Sequence, residues 1–357
     1  MKKLLFISGL LVSDFAGAQE ICGLQLAKFE QPDPLFRNGF ENFMPPVQPL
    51  EGEQAALAKS VAAKGAGLGP ALSTVPIPVL GIAPTITITF PASNDSVSQS
   101  GVQLEGTFTG TANTGISVLG SSAFIVGNRF VTAPVQFDAG TQTISATAKT
   151  MDGQTATATR TLTFTNPPAL DVAIRAQPSA GFAPFKTRFS LRPTGVQVAN
   201  VAIDFDGDSV DDYVGSIANI PIKTYAAPAI YRARFIVTAV GGATYTRFIS
   251  VAALSLPETR SRACSVYAHL RARLRANDNV GVKQTLTQEF AFQFEPVLIA
   301  LGSNRGTFAD RLGTIANGIF APTNAEITLV NQVGSAINGT PIHMTQSADG
   351  IWRIDSL

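Results

Sequence analysis

Polar and apolar residues alternate through the middle of the chain. The alternation is strict in Thr85–Phe90 (TITITF) and recurs in Val102–Phe108, Thr141–Lys149 and Thr155–Phe164. A period of two is that of a strand with one buried face. The Asp-Gly pair at 152–153, between the last two segments, is typical of a hairpin turn. Short strands separated by turn residues predict an all-β sandwich.

A second group of strand-like segments begins after Pro167 and Pro168. The same alternation marks five segments: Asp171–Ala176, Ala183–Leu191, Val201–Phe205, Tyr231–Val240 and Ala243–Val251. Turn-forming residues separate them, as in the first group. The pattern predicts two β-sandwiches in tandem.

From residue 254 onward the apolar residues recur with a helical period. Apolar side chains four residues apart predict a helix over Ser265–Ala276. A second helix is predicted over Val280–Leu301, where Pro296 should kink or split it. The alternation in Phe290–Phe294 also fits a strand. A third helix is predicted over Thr307–Ile315.

The chain then returns to strands. Glu326–Val333, Thr340–Ser347 and Ile351–Asp355 are predicted strands, and the Asp-Gly pair at 349–350 is a hairpin turn. Helices followed by an antiparallel sheet indicate a small α+β domain over 254–357. Trp352 is expected to fill the open end of this sheet as core; the alternative is a ligand-stacking role.

The N-terminus has the features of an export signal. Lys2 and Lys3 precede the apolar segment Leu4–Val12, and Ala16–Ala18 fits a small-x-small cleavage site. We therefore expect residues 1–18 to be removed; the alternative is a buried N-terminal strand. The apolar segment is too short to span a bilayer, and no later segment has the length and apolarity of a transmembrane span.

Residues 19–83 have the composition of an N-terminal segment followed by a linker rich in proline, alanine and glycine. The chain has two cysteines, Cys22 and Cys264. In an exported protein they can form a disulfide, and the sequence leaves that pairing open.

Three resemblances sharpen the domain prediction. The segments ITITFPASNDSVSQSGVQLEGTFTGTANTGISV and DAGTQTISATAKTMDGQTATATRTLTF resemble a bacterial immunoglobulin-like domain of the glucodextranase-B type. The resemblance implies an immunoglobulin-like sandwich over 84–166. It also implies an accessory spacer or adhesion unit without catalytic residues.

The second sandwich resembles a polycystic-kidney-disease (PKD) domain through APFKTRFSL, IDFDGDSVDD and TYAAPAIYRARFIVTAV. This implies a surface immunoglobulin-like module over 167–253. The chain departs from that family at Ala229, where glycine is usual, and it lacks the tryptophan before the aspartate-rich turn. Ile203 stands near that place and is expected to fill the same core position.

The closing segment ADGIWRIDSL resembles the cystatin-like, nuclear-transport-factor-2-like fold. Some proteins of that fold are enzymes that use a histidine or aspartate in a pocket. The two histidines of the chain, His269 and His343, both lie in this region. A small-molecule or catalytic pocket here is therefore the alternative function.

The stretch Ala202–Gly215 (AIDFDGDSVDDYVG) holds five aspartates. Those at positions 1, 3, 5 and 9 of a calcium loop are Asp204, Asp206, Asp208 and Asp212. Ser209 and Gly215 stand where an EF-hand needs glycine and glutamate, so the stretch is not an EF-hand. It predicts a Ca²⁺ site in a turn at a strand end. The alternative is a solvated turn held by side-chain to backbone hydrogen bonds.

Other chemistry is less well supported by the sequence. Turn aspartates rarely form the sugar-sized cleft between two carboxyls that glycoside hydrolysis needs, and no G-x-S-x-G elbow occurs.

The arginine run between Arg260 and Arg275 could bind an anion, although such a run is usually the solvated face of a helix. Charged residues make up 14% of the chain and the net charge is +1, which gives no indication of a nucleic-acid partner.

The sequence thus predicts a mainly β protein with two tandem immunoglobulin-like sandwiches and a small cystatin-like α+β domain. It is expected to be secreted or attached to the cell surface, and to be a non-enzymatic binding, adhesion or spacer protein for a carbohydrate or protein ligand. The three folded regions are expected to unfold separately.

Overall fold

The computed structural model describes residues 19–21, 24–26, 81–97, 101–165, 171–333 and 336–357. The predicted signal peptide (1–18), Cys22 and most of the predicted linker lie outside the described residues. Strands β1 (Gln19–Ile21) and β2 (Leu24–Leu26) form an antiparallel pair in a segment for which the sequence predicted no strands.

The first sandwich, here the N-terminal sandwich, has sheets ordered β4-β11-β10-β6-β7 and β3-β5-β9-β8. Its strands are β3 (Thr85–Phe90), β4 (Ser96–Val97), β5 (Glu105–Thr109), β6 (Gly115–Val118), β7 (Ser121–Ser122), β8 (Phe124–Val126), β9 (Arg129–Val131), β10 (Gly140–Lys149) and β11 (Thr155–Phe164). The inward residues of both sheets form the core, including Leu104, Phe130 and Ile144. The predicted strands 85–90 and 155–164 match the structure residue for residue, and the turn between β10 and β11 lies at Asp152 and Gly153 as predicted.

The central sandwich has sheets ordered β12-β14-β17 and β13-β19-β18-β15-β16. Its strands are β12 (Asp171–Gln177), β13 (Ala180–Phe182), β14 (Phe185–Thr194), β15 (Val198–Asp204), β16 (Tyr213–Gly215), β17 (Lys223–Tyr225), β18 (Ala229–Ala239) and β19 (Thr244–Leu254). A 3-10 turn covers Ile217–Asn219. Ile203 is fully buried in this core, as predicted.

The C-terminal domain packs four helices against an antiparallel sheet ordered β20-β21-β22-β23. Its elements are α1 (Leu256–Arg275), α2 (Asn279–Gln284), α3 (Gln288–Leu301), α4 (Arg305–Arg311), β20 (Thr314–Phe320), β21 (Asn324–Val333), β22 (Ala336–Gln346) and β23 (Trp352–Ser356), with a 3-10 turn at Gly302–Asn304. Trp352 is 2% exposed and belongs to the core, which confirms its predicted packing role. Strand β1 lies against α1 and β20.

Three helix predictions need correction. Helix α1 begins nine residues earlier than predicted, at Leu256, because Ser255 caps it and Pro257 fits its first turn. The predicted helix 280–301 is broken at Thr285 and Thr287, not at Pro296. The backbone groups of these threonines bond Ile354 of β23 instead of continuing the helix.

The predicted third helix is also shorter, because the chain leaves it after Arg311 and enters β20. Strand β20 was not predicted, and a bulge between Ile315 and Asn317 explains why. A bulge interrupts the period of two on which strand prediction depends.

The fold class is confirmed: the chain is mainly β, with two sandwiches followed by a small α+β domain. The domain boundaries at 84, 167 and 254 stay predictions, as do the finer resemblances to the glucodextranase-B, PKD and cystatin-like families.

The N-terminal and central sandwiches share an apolar junction. Val126 and Val131 of the first pack against Ile230, Ala252 and Leu254 of the second. Because β19 belongs to this junction and continues almost directly into α1, the junction also sets where the C-terminal domain begins.

The N-terminal sandwich also contacts the C-terminal domain through backbone atoms. The Asn113 side chain exchanges two hydrogen bonds with the backbone of Trp352, at 3.0 and 3.1 Å. A Cβ atom on Gly115 would lie 2.4 Å from the backbone of Asp349, Gly350 and Ile351. Glycine is required at position 115 because the two backbones meet there.

Candidate functional site

A groove of about 410 Å³ runs along the junction between the two sandwiches. We call it the junction groove. The residues that give it chemical character are Phe90, Gln103, Asp171, Arg175, Arg247 and Phe248. They come from β3, β12, β19 and the segment before β5, so folding is needed to bring them together.

Two phenylalanines lie at the groove. The rings of Phe90 and Phe248 are 6.3 Å apart and meet edge to face at 66°, a favoured aromatic geometry. Phe248 is 41% exposed. The guanidinium of Arg232 lies 4.0 Å above the Phe90 ring, a cation–π contact that stabilises the position of that ring. The exposed Phe248 ring therefore packs against Phe90, whose own position is stabilised by Arg232.

A buried polar cluster forms the base of the junction. Glu105 is 1% exposed and accepts two hydrogen bonds from Arg232, at 2.8 and 2.7 Å. Arg129 lies 3.4 Å from the same carboxylate, and the Ser250 hydroxyl donates to it. A planar guanidinium and a carboxylate joined by two bonds have a fixed mutual orientation. This cluster therefore fixes one sandwich relative to the other.

Gln103 makes a second polar connection across the junction. Its amide accepts a hydrogen bond from Ser250 N at 2.6 Å and donates one to Ser250 O at 2.9 Å. These are the bonds that a neighbouring strand would make with β19. Because both ends of the Gln103 amide are used, it positions the groove wall.

The carboxylate of the groove is neutralised within the protein. Asp171 accepts a hydrogen bond from Arg247 at 2.6 Å and another from Val172 N at 2.8 Å. Arg175 is exposed on β12, and no ion pair involves it in the described part of the chain. It is thus available to a ligand.

A second cavity, of about 390 Å³, also has Phe248 in its lining. Its charged lining consists of Arg129, Asp204, Asp206, Arg232 and Arg234. Phe248 thus contributes to the lining of both cavities.

The aspartate-rich turn contributes to the lining of the second cavity. Asp204, Asp206 and Asp208 each place a carboxylate oxygen within 4.8 Å of the others. Asp204 is buried and accepts hydrogen bonds from Gly207 N at 2.7 Å and Ser209 N at 2.9 Å. The structure therefore brings three of the four predicted calcium ligands together.

Asp212, the fourth predicted ligand, stands apart from that group. Its carboxylate accepts a hydrogen bond from Phe205 N at 2.8 Å and lies 3.2 Å from the Lys223 ammonium. Lys223 is also 3.6 Å from Asp206, and Arg234 is 3.8 Å from Asp204. The turn thus has internal cations and backbone donors, as the solvated-turn alternative requires, and calcium binding stays a prediction.

Calcium binding can be tested by thermal unfolding. If the turn holds the ion, calcium at a hundredfold excess over Kd should stabilise the folded state by about 2.7 kcal/mol, and chelator should reverse the gain. Asp206→Asn should reduce the gain, whereas Asp138→Asn, in an exposed loop of the N-terminal sandwich, should leave it intact. Unchanged melting in millimolar calcium, with Asp206→Asn slightly stabilising, would establish the solvated turn.

The two histidines lie in different environments of the C-terminal domain. His269 is fully buried, and Arg273 donates to its Nε2 at 3.2 Å. His343 is partly exposed on β22, 3.7 Å from Glu326. A substrate could reach His269 only if the C-terminal core opened.

The arginine run of α1 is largely used inside the protein. Arg271 and Arg262 donate to backbone carbonyls of Ala309 and Thr114, while Arg273 and Arg275 pair with aspartates at 2.8 and 2.5 Å. These four arginines therefore have partners within the protein.

Burial of His269 makes stability depend on pH. Burial and the nearby Arg273 lower the pKa of His269 to about 4, against the opposing effect of Asp152 and Asp278. The unfolded chain therefore takes up a proton below pH 6.5 that the folded protein excludes. The free energy of unfolding should have its full value above that pH, and at pH 5 it should be lower by about 2 kcal/mol. In denaturant titrations at pH 7.5 and 5, His269→Gln should lose this component; an unchanged pH dependence would contradict the assignment.

The sole cysteine among the described residues, Cys264, is disulfide-bonded. It lies on α1, against which β1 packs. The other cysteine of the sequence, Cys22, lies outside the described part of the chain. No helix in the described part is both long and apolar enough to cross a bilayer.

No model of a known protein family matches the chain, and no curated protein matches its sequence. Among solved structures, the chain is similar to the fibronectin(III)-like modules of Clostridium thermocellum CbhA, with 11% identity over 48% of this chain and 95% of that one, and a TM-score of 0.19. It is similar to the Ig1-2 module of the Drosophila receptor protein tyrosine phosphatase DLAR, with 11% identity over 48% of this chain and 99% of that one, and a TM-score of 0.22. It is also similar to Bacteroides ovatus SGBP-B, solved with a mixed-linkage heptasaccharide, with 16% identity over 48% of each chain and a TM-score of 0.20.

Proposed function

We propose that this protein is a non-enzymatic carbohydrate-binding protein that acts at or outside the cell surface. The observation that carries the proposal is the solvent-open junction groove with the exposed Phe248 ring at its edge. The C–H faces of a sugar ring stack on an aromatic ring, while its hydroxyls need polar side chains beside that ring. The groove offers both.

The size of the groove favours a small or extended ligand over a folded protein. Its volume is within the range of small-molecule sites, about 300–1,000 Å³. A stable protein–protein interface instead buries about 800 Å² on each partner. A few linked sugar rings fit the groove better.

The groove is built for binding rather than for hydrolysis. Glycoside hydrolysis needs two carboxyl groups, one of them protonated near neutral pH. Asp171, the acidic residue lining the groove, is committed to Arg247 and to a backbone N–H. The base of the junction, beneath the groove, is fixed by buried polar contacts. Few side chains therefore need to become ordered when a ligand binds.

Two features support an extracytoplasmic location. The predicted signal peptide directs export, and the disulfide at Cys264 is a bond that persists in oxidising compartments.

Isothermal titration of the full mature protein against a panel of oligosaccharides tests the proposal. Phe248→Ala should weaken binding at least about tenfold, which is 1.4 kcal/mol, with little change in melting temperature because the ring is exposed. Phe292→Ala, at an 80% exposed position of α3, is the matched control and should bind as the wild type. Absence of binding across the panel, or equal binding by Phe248→Ala, would refute the proposal.

A further inference from the structure

The outer face of the sheet β12-β14-β17 is basic and continues from the junction groove. Four exposed cations lie on it: Arg175, Lys186, Arg188 and Arg192. In the strand register Arg175 faces Ser190, Gln177 faces Arg188, and Ala173 faces Arg192. Because successive outward residues alternate with the buried Phe185, Thr187 and Phe189, the four cations share one face. We call this face the basic sheet face.

The basic sheet face has little internal neutralisation. No ion pair joins any of its four cations to an acidic residue in the described part of the chain. The acidic residue at its end, Asp171, is occupied by Arg247. Four like charges at neighbouring positions repel one another, so an external polyanion would stabilise them.

The face and the groove share residues. Arg175 and Gln177 project from β12 on the basic sheet face and also line the junction groove. A chain that lies in the groove against Phe248 therefore reaches the other cations by continuing along β12 and β14. Outward residues two apart on a strand are separated by about 7 Å, which suits a polymer with regularly spaced charges.

The lining of the second cavity contains three further arginines. The two cavities together are lined by five arginines and three aspartates. Four of these five arginines pair with carboxylates of the protein: Arg129 and Arg232 with Glu105, Arg234 with Asp204 and Asp211, and Arg247 with Asp171. Arg175 makes no ion pair in the described part of the chain, so it is the arginine of these linings that is available to a ligand. The planar fork of its guanidinium matches a carboxylate, whereas a neutral glycan would make no use of the charge.

We propose that the ligand of the junction groove is an acidic polysaccharide, with sugar rings stacked on Phe248 and carboxylates paired with Arg175 and the basic sheet face. This inference rests on the proposed carbohydrate function and specifies its ligand class. The occupant is a uronate-containing chain rather than a single sugar, because the cations extend beyond the groove itself.

The test compares three ligands in isothermal titration with chelator present: a hexamer of galacturonate, the same hexamer with its carboxyls methyl-esterified, and free galacturonate. The acidic hexamer should bind at least about tenfold more tightly than the neutral ester, and free galacturonate should bind far more weakly. Raising the salt from 0.05 to 0.5 M should remove most of the difference, because exposed charges are screened.

Variants locate the contact. Arg175→Ala and Arg188→Ala should each weaken the acidic hexamer several-fold and leave the neutral ester unchanged. Arg311→Ala, an exposed arginine on α4 outside the groove, should change neither. All three positions are exposed, so melting temperatures should remain close to that of the wild type.

The outcomes separate the two proposals. Equal binding of acidic and esterified hexamers, both weakened by Phe248→Ala, would overturn the acidic-ligand inference and keep the carbohydrate function. Binding of neither hexamer, with tight binding of single-stranded DNA that depends on Arg188, would overturn both in favour of a nucleic-acid surface. Binding of the acidic hexamer that Arg175→Ala and Arg188→Ala leave unchanged would also overturn the inference.

Discussion

Replacing Arg232 by alanine is expected to lower the free energy of unfolding by about 3–5 kcal/mol. The reason is the Glu105 carboxylate, which is 1% exposed and would lose the two short hydrogen bonds that Arg232 donates. Arg129, at 3.4 Å and half exposed, cannot take over both bonds. The ring of Phe90 would also lose the cation above it.

Urea titration followed by intrinsic fluorescence measures the effect. The control is Arg275→Ala, whose pair with Asp310 is exposed on both sides and should be worth less than about 1 kcal/mol. Adding Glu105→Gln to Arg232→Ala should restore part of the loss, because the buried charge is then gone. Equal effects of Arg232→Ala and Arg275→Ala would show that the buried cluster does not hold the sandwiches together.

The same interface revises the expectation that the folded regions unfold separately. Buried polar bonds and an apolar junction join the two sandwiches, so we expect a single cooperative transition for this pair. Two transitions in calorimetry of the wild type would contradict that.

Gly115→Ala is expected to have the second large effect, about 3 kcal/mol or more. The added methyl would lie 2.4 Å from backbone atoms of Asp349, Gly350 and Ile351. Backbone cannot rotate away as a side chain can, so the hairpin turn must separate from β6. The two hydrogen bonds between Asn113 and Trp352 would be broken with it.

The matched control is Gly241→Ala, where an added Cβ meets no atom within 4 Å. It should change the stability by no more than about 0.5 kcal/mol. Hydrogen exchange should show faster exchange at Ile351 and Trp352 in Gly115→Ala alone. If both variants are equally stable, the close approach of the two backbones is not a constraint on folding.

The strands were predictable because their alternation is local. Polar residues at Gln103 and Glu105 alternate with Val102 and Leu104 as if they faced water. In the structure that polar face of the strand is buried against the central sandwich. Alternation tells which residues share a face, and it cannot tell whether the polar face meets solvent or another domain.

The junction groove could not be predicted for a related reason. Gln103 and Ser250 are 147 residues apart, and Asn113 and Trp352 are 239 apart. No spacing along the chain encodes such contacts. The aspartate turn was visible because its members are neighbours in sequence, and the structure separates only Asp212 from the others. The run of arginines on α1 was visible for the same reason, but its partners on other elements were not.

Because the ligand would lie between two sandwiches, tension on a tethered molecule would act on the junction first. Strand β19 carries Phe248 at the groove and Ala252 and Leu254 at the apolar junction, and it leads into α1. Within the central sandwich β19 is joined to β18 by a continuous ladder from Thr244 to Ala253, whereas side chains hold the two sandwiches together. A sideways pull should therefore part the sandwiches and release the glycan while both sandwiches stay folded. Binding would then be reversible under load, because the sandwiches would rejoin and form the groove again once the load is removed.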